Sequence, residues 1–464
     1  MHRQYLLLIV TLHFLLIYYI IIPIINYFRD PKGLRKYPNL TFVSGISDLP
    51  LIYYSHKGIR SRVLFEAHKK HPVLRIGPNK LSYAEPVAIK DIYGHGTKCT
   101  KDVFYSALSG SHYHLADVVD KEDHARKRKV LSNPYAIKNL EGSEYKVADM
   151  TQRIIKAFDE RCTSPLPKGR NPDPQDLTID YRMWTNLYTI AAIANIGLSE
   201  DIRFLDQGND IISSEAKDGT VKKVHFRDCL YANASATSTL VWTYDWYEAL
   251  VRVSKLVSST IMMNAGSDTT GISLNNVMLL LLKNPHCLEK LREEIDGVLE
   301  DDEVIAPYDK VKHLPYLRAC LDENMRMYPP VSFHVPRRTP QEGTMIRGEF
   351  VAGNTSVGIS AYVVHRNEDI FPDPDTYKPE RWLGDKGRDL QPYFVAFSAG
   401  ARGYIGRNIS YLEQTVLLAS LVHRFEFALP SPSWEPVRHE TTNFNSGPMP
   451  LKVWRRASRV YEDN

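Results

Sequence analysis

The chain has 464 residues, 43% apolar and 24% charged, long enough to bury a large core and, on length alone, to hold two or three domains. A formal charge of +4 and an isoelectric point near 8.5 are too mild for a nucleic-acid binder. Five cysteines, Cys99, Cys162, Cys229, Cys287 and Cys320, are odd in number and lack metal-site spacing, which points to free thiols in a reducing compartment rather than a disulfide framework.

In chain order, the first predicted element is a helix. From Tyr5 to Ile25 only Thr11, His13 and Pro23 interrupt an apolar run, long enough to cross a hydrocarbon layer of roughly 30 Å. A cleaved signal peptide has a shorter apolar core followed by small residues; here Asn26-Tyr27-Phe28-Arg29-Asp30-Pro31 follows. Arg29, Lys32, Arg35 and Lys36 outweigh Arg3 on the other side, which leaves the body cytosolic. Residues 1–27 thus read as a membrane anchor and 28–464 as one body, joined by the Pro/Gly-punctuated linker Asp30–Pro38. Alternation from Pro72 to Pro86 around Gly77-Pro78-Asn79 predicts a hairpin. Pro86 opens a short helix through Ile92. From about Asp123 helical periodicity dominates, and strand signals return at Thr344–Ser360. The fold class is mainly α with a smaller β portion.

Five segments carry chemistry. His124-Ala125-Arg126-Lys127-Arg128 sets His124 and Arg128 on one helical face, suited to binding a carboxylate. A solvated basic face is the alternative for Arg126, Lys127 and Lys129. Ala265-Gly266-Ser267-Asp268-Thr269-Thr270 places a glycine inside a helix at a cost of about 1 kcal/mol. The acid and alcohol that follow can relay protons; a polar helix kink is the alternative. Glu323-Asn324-Met325-Arg326 puts carboxylate and guanidinium on one face. Pro379-Glu380-Arg381-Trp382 comes next, and last the loop Phe397-Ser398-Ala399-Gly400-Ala401-Arg402-Gly403-Tyr404-Ile405-Gly406.

Taken in this order, the segments resemble the cytochrome P450 family, over nearly everything after the first helix. That family's loop is Phe-x-x-Gly-x-Arg-x-Cys-x-Gly; Phe397, Gly400, Arg402 and Gly406 match, and Tyr404 stands at the cysteine. Asp30–Asn39, His124–Ser132 and Ile261–Thr270 are similar to fungal microsomal members of the benzoate- and cresol-hydroxylase type, which often serve secondary metabolism. The resemblance implies the P450 fold behind one transmembrane helix, and haem b as cofactor. Position 404 would be the iron ligand, a thiolate in the family, where it favours O–O cleavage. His124, Arg128, Arg402 and Arg337 (after Val335-Pro336) would hold the haem propionates. Glu323, Arg326 and Arg381 would form a buried ion network supporting the haem loop. Asp268 and Thr269 would relay protons beside small residues that leave room for dioxygen.

The resemblance places the substrate pocket near Phe104–His114, Val331–His334 and Phe444–Ser446, with His334 a pocket or surface residue rather than an iron ligand. Electrons would come from NADPH through a cytochrome P450 reductase docked on the basic proximal side. The setting is the endoplasmic reticulum membrane, single-pass, and the reaction inserts one oxygen atom into a small organic substrate; small aromatics follow by analogy alone.

Two departures from the family bear on activity. Tyrosinate can ligate haem iron, but a phenol is longer than a thiol, and its pKa of about 10, against about 8.5, makes the anion harder to form. Tyr404 must push the haem aside, distort Gly403 and Gly406, or swing out. In the second departure, Tyr244–Val257 resembles an early G helix, yet Ser258-Ser259-Thr260 leads straight into Ile261-Met262-Met263-Asn264-Ala265. The late G, H and early I helices are missing near 256–261, as a skipped exon, a wrong gene model or genuine decay would produce. Three readings stay open: an impaired or inactive P450-type protein (a pseudoenzyme at the limit), an active monooxygenase whose sequence is faulty or mutated, and a non-catalytic membrane-bound partner protein. Two defects at the most chemically critical places favour the first.

Overall fold

The structure is a computed structural model and describes residues 2–108, 114–215, 218–229, 231, 238–239, 241–242 and 261–457. The expected early G helix, Tyr244–Val257, and the junction near 256–261 lie almost wholly outside the described residues, which resume at Ile261.

Helix His2–Leu16, a π-helical turn Ile17–Ile21 and helix Ile22–Arg29 follow without a break, and Gln4–Arg29 is long and apolar enough to cross a membrane. The helix passes the expected boundary at 27 because nothing opposes it before Asp30-Pro31. There Asp30 turns left-handed (φ 46°), and its carboxylate accepts the backbone N–H groups of Leu34 and Arg35 at 2.8 and 3.2 Å.

The expected hairpin forms from Val73–Gly77 and Lys80–Tyr83. It belongs to a five-stranded sheet whose neighbours run Val73–Gly77, Lys80–Tyr83, Ser356–Ile359, Arg337–Arg338, Thr100–Lys101. Ser356–Ile359 is parallel to Lys80–Tyr83, and the other pairings are antiparallel. In that register Lys101 stands opposite Arg337 and Thr100 opposite Arg338. Two like charges directly opposed cost stability unless something offsets them.

Helices make up most of the rest of the body, beside a three-stranded sheet and three two-stranded ones among the described residues. Tyr181–Leu198 starts on Asp180, whose carboxylate accepts from the N–H groups of Arg182 and Met183 (3.1 and 3.4 Å). Pro315 opens Pro315–Met327, where its missing N–H costs nothing. Together with Glu144–Asp159, Ile261–Lys283 and Arg407–Arg424 these helices enclose a core that includes Phe158, Tyr188, Leu274, Leu321 and Leu417. Helices Tyr181–Leu198 and Ile261–Lys283 approach closely: a Cβ on Gly266 would lie 3.0 Å from the Ile193 side chain, and one on Gly271 2.6 Å from Asn186 Oδ1. Gly266 therefore serves helix–helix contact, where the sequence suggested room for dioxygen. All five cysteines are free thiols.

Candidate active site

The Glu-x-x-Arg pair lies fully buried on Pro315–Met327. Glu323 accepts from Arg326 Nε and Nη2 (2.8 and 2.9 Å), Arg381 Nε (3.2 Å), Trp382 Nε1 (2.9 Å) and the Lys378 N–H (3.1 Å). Arg326 also donates to the carbonyls of His365 and Pro374 (2.9 and 2.6 Å). The sequence marked Glu323, Arg326 and Arg381 but gave no sign of His365. Its Nε2 accepts the Val395 N–H at 2.9 Å, so Nδ1 carries the proton and donates to Arg326 O at 3.2 Å. Burial, then Arg326, pushes the His365 pKa down to about 3, which keeps the ring neutral for both bonds. The network thereby reaches the segment leading into the 397–406 loop.

Within the loop, Gly400 has φ +66° and lies under the Tyr93 carbonyl, which a Cβ would approach to 2.1 Å. The Tyr404 N–H donates to Phe397 O (2.9 Å) and the Gly403 N–H to Gly400 O (3.0 Å). The Tyr404 ring stacks on Phe397, centroids 6.3 Å apart and planes within 6°. It also lies over Gly406, where a Cβ would meet Tyr404 Cζ and Oη at 2.7 Å. The ring thus packs on residues of its own loop, Phe397 and Gly406. The ring enters a cavity of about 530 Å³ shared with Arg128, Tyr135, Phe394, Arg407 and Asn408. No described residue of Ile261–Lys283 lines that cavity, nor does Arg337 or Arg402. Tyr404 keeps 39% of its surface exposed; desolvation of the rest, then Tyr135 and Glu413, pushes the phenol pKa well up.

Five bases converge beside the loop. Arg128 donates to the Gly403 carbonyl (2.8 Å) and Arg402 to those of Val118, Val119 and Asp120 (3.0, 2.9 and 3.3 Å). Arg337 is buried, with its guanidinium 5.1 Å from the Tyr93 ring centroid and 3.5 Å from Tyr105 Oη. His124 is buried too. The fifth base, Lys101, went unnoticed in the sequence because only strand register brings it to Arg337; its ammonium meets the Leu115 and Ala116 carbonyls. Burial, then Arg337 and Arg402, pushes the Lys101 pKa down to about 7. Burial, then Arg402, Lys101, Arg128 and Arg337, pushes His124 down to about 4. Among the described residues none of the five sits in a salt bridge, and Asp102 is taken by Arg338 at 3.2 Å. Mutually repelling bases with no salt bridge among the described residues, and only the Asp117 carboxylate acting on Lys101, are suited to an anion bearing two carboxylates.

Asp268 is buried against Tyr181–Leu198. It accepts from Arg182 Nη2 (2.9 Å), Tyr231 Oη (3.3 Å) and Asn443 Nδ2 (2.7 Å). Arg182, invisible as a site residue in the sequence, is itself buried and held charged by Tyr231 and Asp268 against the pull of burial. Adjacent helical residues are about 100° apart, and Thr269 is only half-buried. The acid of the expected pair is thus held in an ion pair with Arg182.

Comparison with known proteins gives a consistent picture. Residues 254–453 match the family model for cytochrome P450. Cytochrome P450 monooxygenase atr2 of Stereocaulon alpinum is 29% identical over 440 residues, covering 85% of both chains. Tryprostatin B 6-hydroxylase of Neosartorya fischeri is 25% identical, covering 89% of this chain and 80% of that one. The crystal structure of the cytochrome P450DA heme domain superposes with a TM-score of 0.69 at 16% identity, over 88% of this chain and 95% of that one; such a likeness speaks for the fold alone. Motif order, fold and relatives agree on the cytochrome P450 family, whose model matches residues 254–453 and whose fungal members this chain resembles over most of its length.

Proposed function

We propose that this is a membrane-anchored P450-type protein that keeps a site for haem but has lost thiolate-driven oxygen cleavage, and is impaired or inactive as a monooxygenase. The observation that carries this reading is the Tyr404 ring, folded over Gly406 and stacked on Phe397 in a cavity apart from the helix that bears Asp268 and Thr269. Haem, when bound, would supply the iron at which dioxygen is reduced and cleaved. His124, Arg128, Arg337, Arg402 and Lys101 would hold its propionates, and the downward push that Arg337 and Arg402 exert on Lys101 and His124 supports that assignment. The residue at the iron-ligand position does not fit: a protonated phenol would be a poor counterpart of a thiolate.

Other roles follow from family membership. Arg182 holds Asp268 as a structural carboxylate. Electrons would come from NADPH through a reductase on the proximal face, although Arg126 and Lys127 there are each paired with Asp123 at 2.6 Å. The Gln4–Arg29 helix, with basic residues behind it, supports single-pass anchoring in the endoplasmic reticulum with a cytosolic body. The substrate class would be a small organic molecule of secondary metabolism.

The test is the absorption spectrum of the reduced, carbon-monoxide-bound protein, with haem content measured in parallel, beside Tyr404→Cys. The expected result is haem without the strongly red-shifted Soret band in the parent, and recovery of that band in Tyr404→Cys. A thiolate-type band in the parent overturns the reading, and absence of haem from both proteins overturns the retained haem site.

A further inference from the structure

The His334 imidazole is 1% exposed, and neither ring nitrogen has a hydrogen-bond partner among the described residues. Leaving a buried polar group unsatisfied costs stability. The ring is covered by Trp242, itself 1% exposed, at 5.1 Å between centroids and 27° between planes. Trp242 also meets Phe104 (4.9 Å) and Phe333 (6.2 Å), and the Arg60 guanidinium lies 5.2 Å from its centroid. Its indole N–H is used within its own segment, on the Ser238 carbonyl at 2.9 Å. Ring contacts are therefore what hold the indole against Phe104, Phe333 and His334, and another flat ring can replace them. Phe104 and Phe333–His334 come from two of the segments at which the family builds its substrate pocket, so Trp242 fills the space where they meet.

Burial, then Arg60, Lys80 and His68, pushes the His334 pKa far down, so the ring is neutral. A neutral imidazole offers one N–H donor and one bare nitrogen acceptor. A hydroxyl group can answer either.

We propose that His334 is a specificity-determining residue for a flat hydroxyarene, which takes the space of the Trp242 indole and turns its hydroxyl to the imidazole edge. This rests on the P450 reading only in calling the occupant a substrate; the binding step needs neither haem nor iron.

The experiment is calorimetric titration of the full chain in detergent micelles, with empty micelles as blank. The probes are 2-naphthol and 2-methoxynaphthalene, which have the same ring system but differ in the hydroxyl proton. The wild type is expected to prefer 2-naphthol by about tenfold or more. His334→Phe should lower that preference to within about twofold, and His334→Gln, which keeps donor and acceptor, should preserve part of it. Trp242→Ala should bind both probes more tightly, with the preference kept, because no indole has to be displaced. Equal binding by the wild type, a preference that survives in His334→Phe, or no binding by either wild type or Trp242→Ala overturns the proposal. If His334→Phe does not fold by circular dichroism, the wild-type preference and the Trp242→Ala gain decide. Haem content in the same samples keeps the two readings apart: discrimination by haem-free protein sustains this one alone, and loaded protein without discrimination sinks it alone.

Discussion

Replacing Lys101 by methionine removes one base from the cluster while keeping an unbranched side chain of similar length. In the folded, haem-free protein the Lys101 pKa lies at about 7, lowered by burial and by Arg337 and Arg402. In the unfolded chain it returns to about 10.4. Between these values the unfolded state binds more protons than the folded one, so stability rises with pH across the window. Integrated for one site from about pH 7 to about pH 9, the difference is about 1.7 proton-pH units, or about 2 kcal/mol. Lys101 is 6% exposed, so solvent screening takes little of this away. Urea unfolding of the haem-free full chain in micelles, followed by far-ultraviolet circular dichroism, gives the measurement. Relative to Lys101→Met, the wild type should gain about 2 kcal/mol between those pH values. Identical pH profiles for the two proteins would refute the reasoning. Haemin extends the test: its two carboxylates should restore the ammonium, so loading at about pH 8 takes up a proton in the wild type and none in Lys101→Met.

His124 behaves as the acid-side counterpart: its folded pKa of about 4 lies below the unfolded value of about 6.5, so acidification through that window should cost about 3 kcal/mol. His124→Phe should flatten that loss in the same unfolding assay between pH 7 and pH 4.5. Glu323→Gln leaves the buried Arg326 guanidinium without its carboxylate, and thermal unfolding should show a loss of about 3–5 kcal/mol. Tyr404→Phe should match the parent in haem retention and spectrum, because the protonated hydroxyl has no part in ligation; loss of haem on that change would mean the phenolate binds iron.

The parts of the site legible in the sequence are those fixed by local spacing. Gly77-Pro78-Asn79 announced its hairpin, Glu323 and Arg326 share a helical face by their i, i+3 offset, and the glycines of the 397–406 loop mark a backbone that a side chain at Gly400 would block. What stayed hidden depends on contacts between distant segments. Lys101 joins the cluster through strand pairing with Arg337, Arg182 reaches Asp268 across two packed helices, and His365 enters by way of Val395. Gly266 shows a further limit: a mid-helix glycine signals close approach, but only the Ile193 side chain says by what. The contact of the Tyr404 ring with Phe397 is likewise set by packing within the loop and not by the motif's spacing.

That stacking also explains how the fold tolerates a tyrosine at the ligand position. The loop is held by the backbone bonds of Tyr404 to Phe397 and of Gly403 to Gly400, and by the fit of Gly400 under Tyr93. Behind it, Glu323 with its donors, Arg326, His365 and Val395 form a buried chain of bonds that does not run through the side chain of residue 404. The family's cysteine is therefore demanded by chemistry at iron and not by folding of the loop. A tyrosine at this position can remove the reaction while leaving the scaffold and the cluster of bases in place, which is why one substitution, Tyr404→Cys, suffices to test the proposed loss.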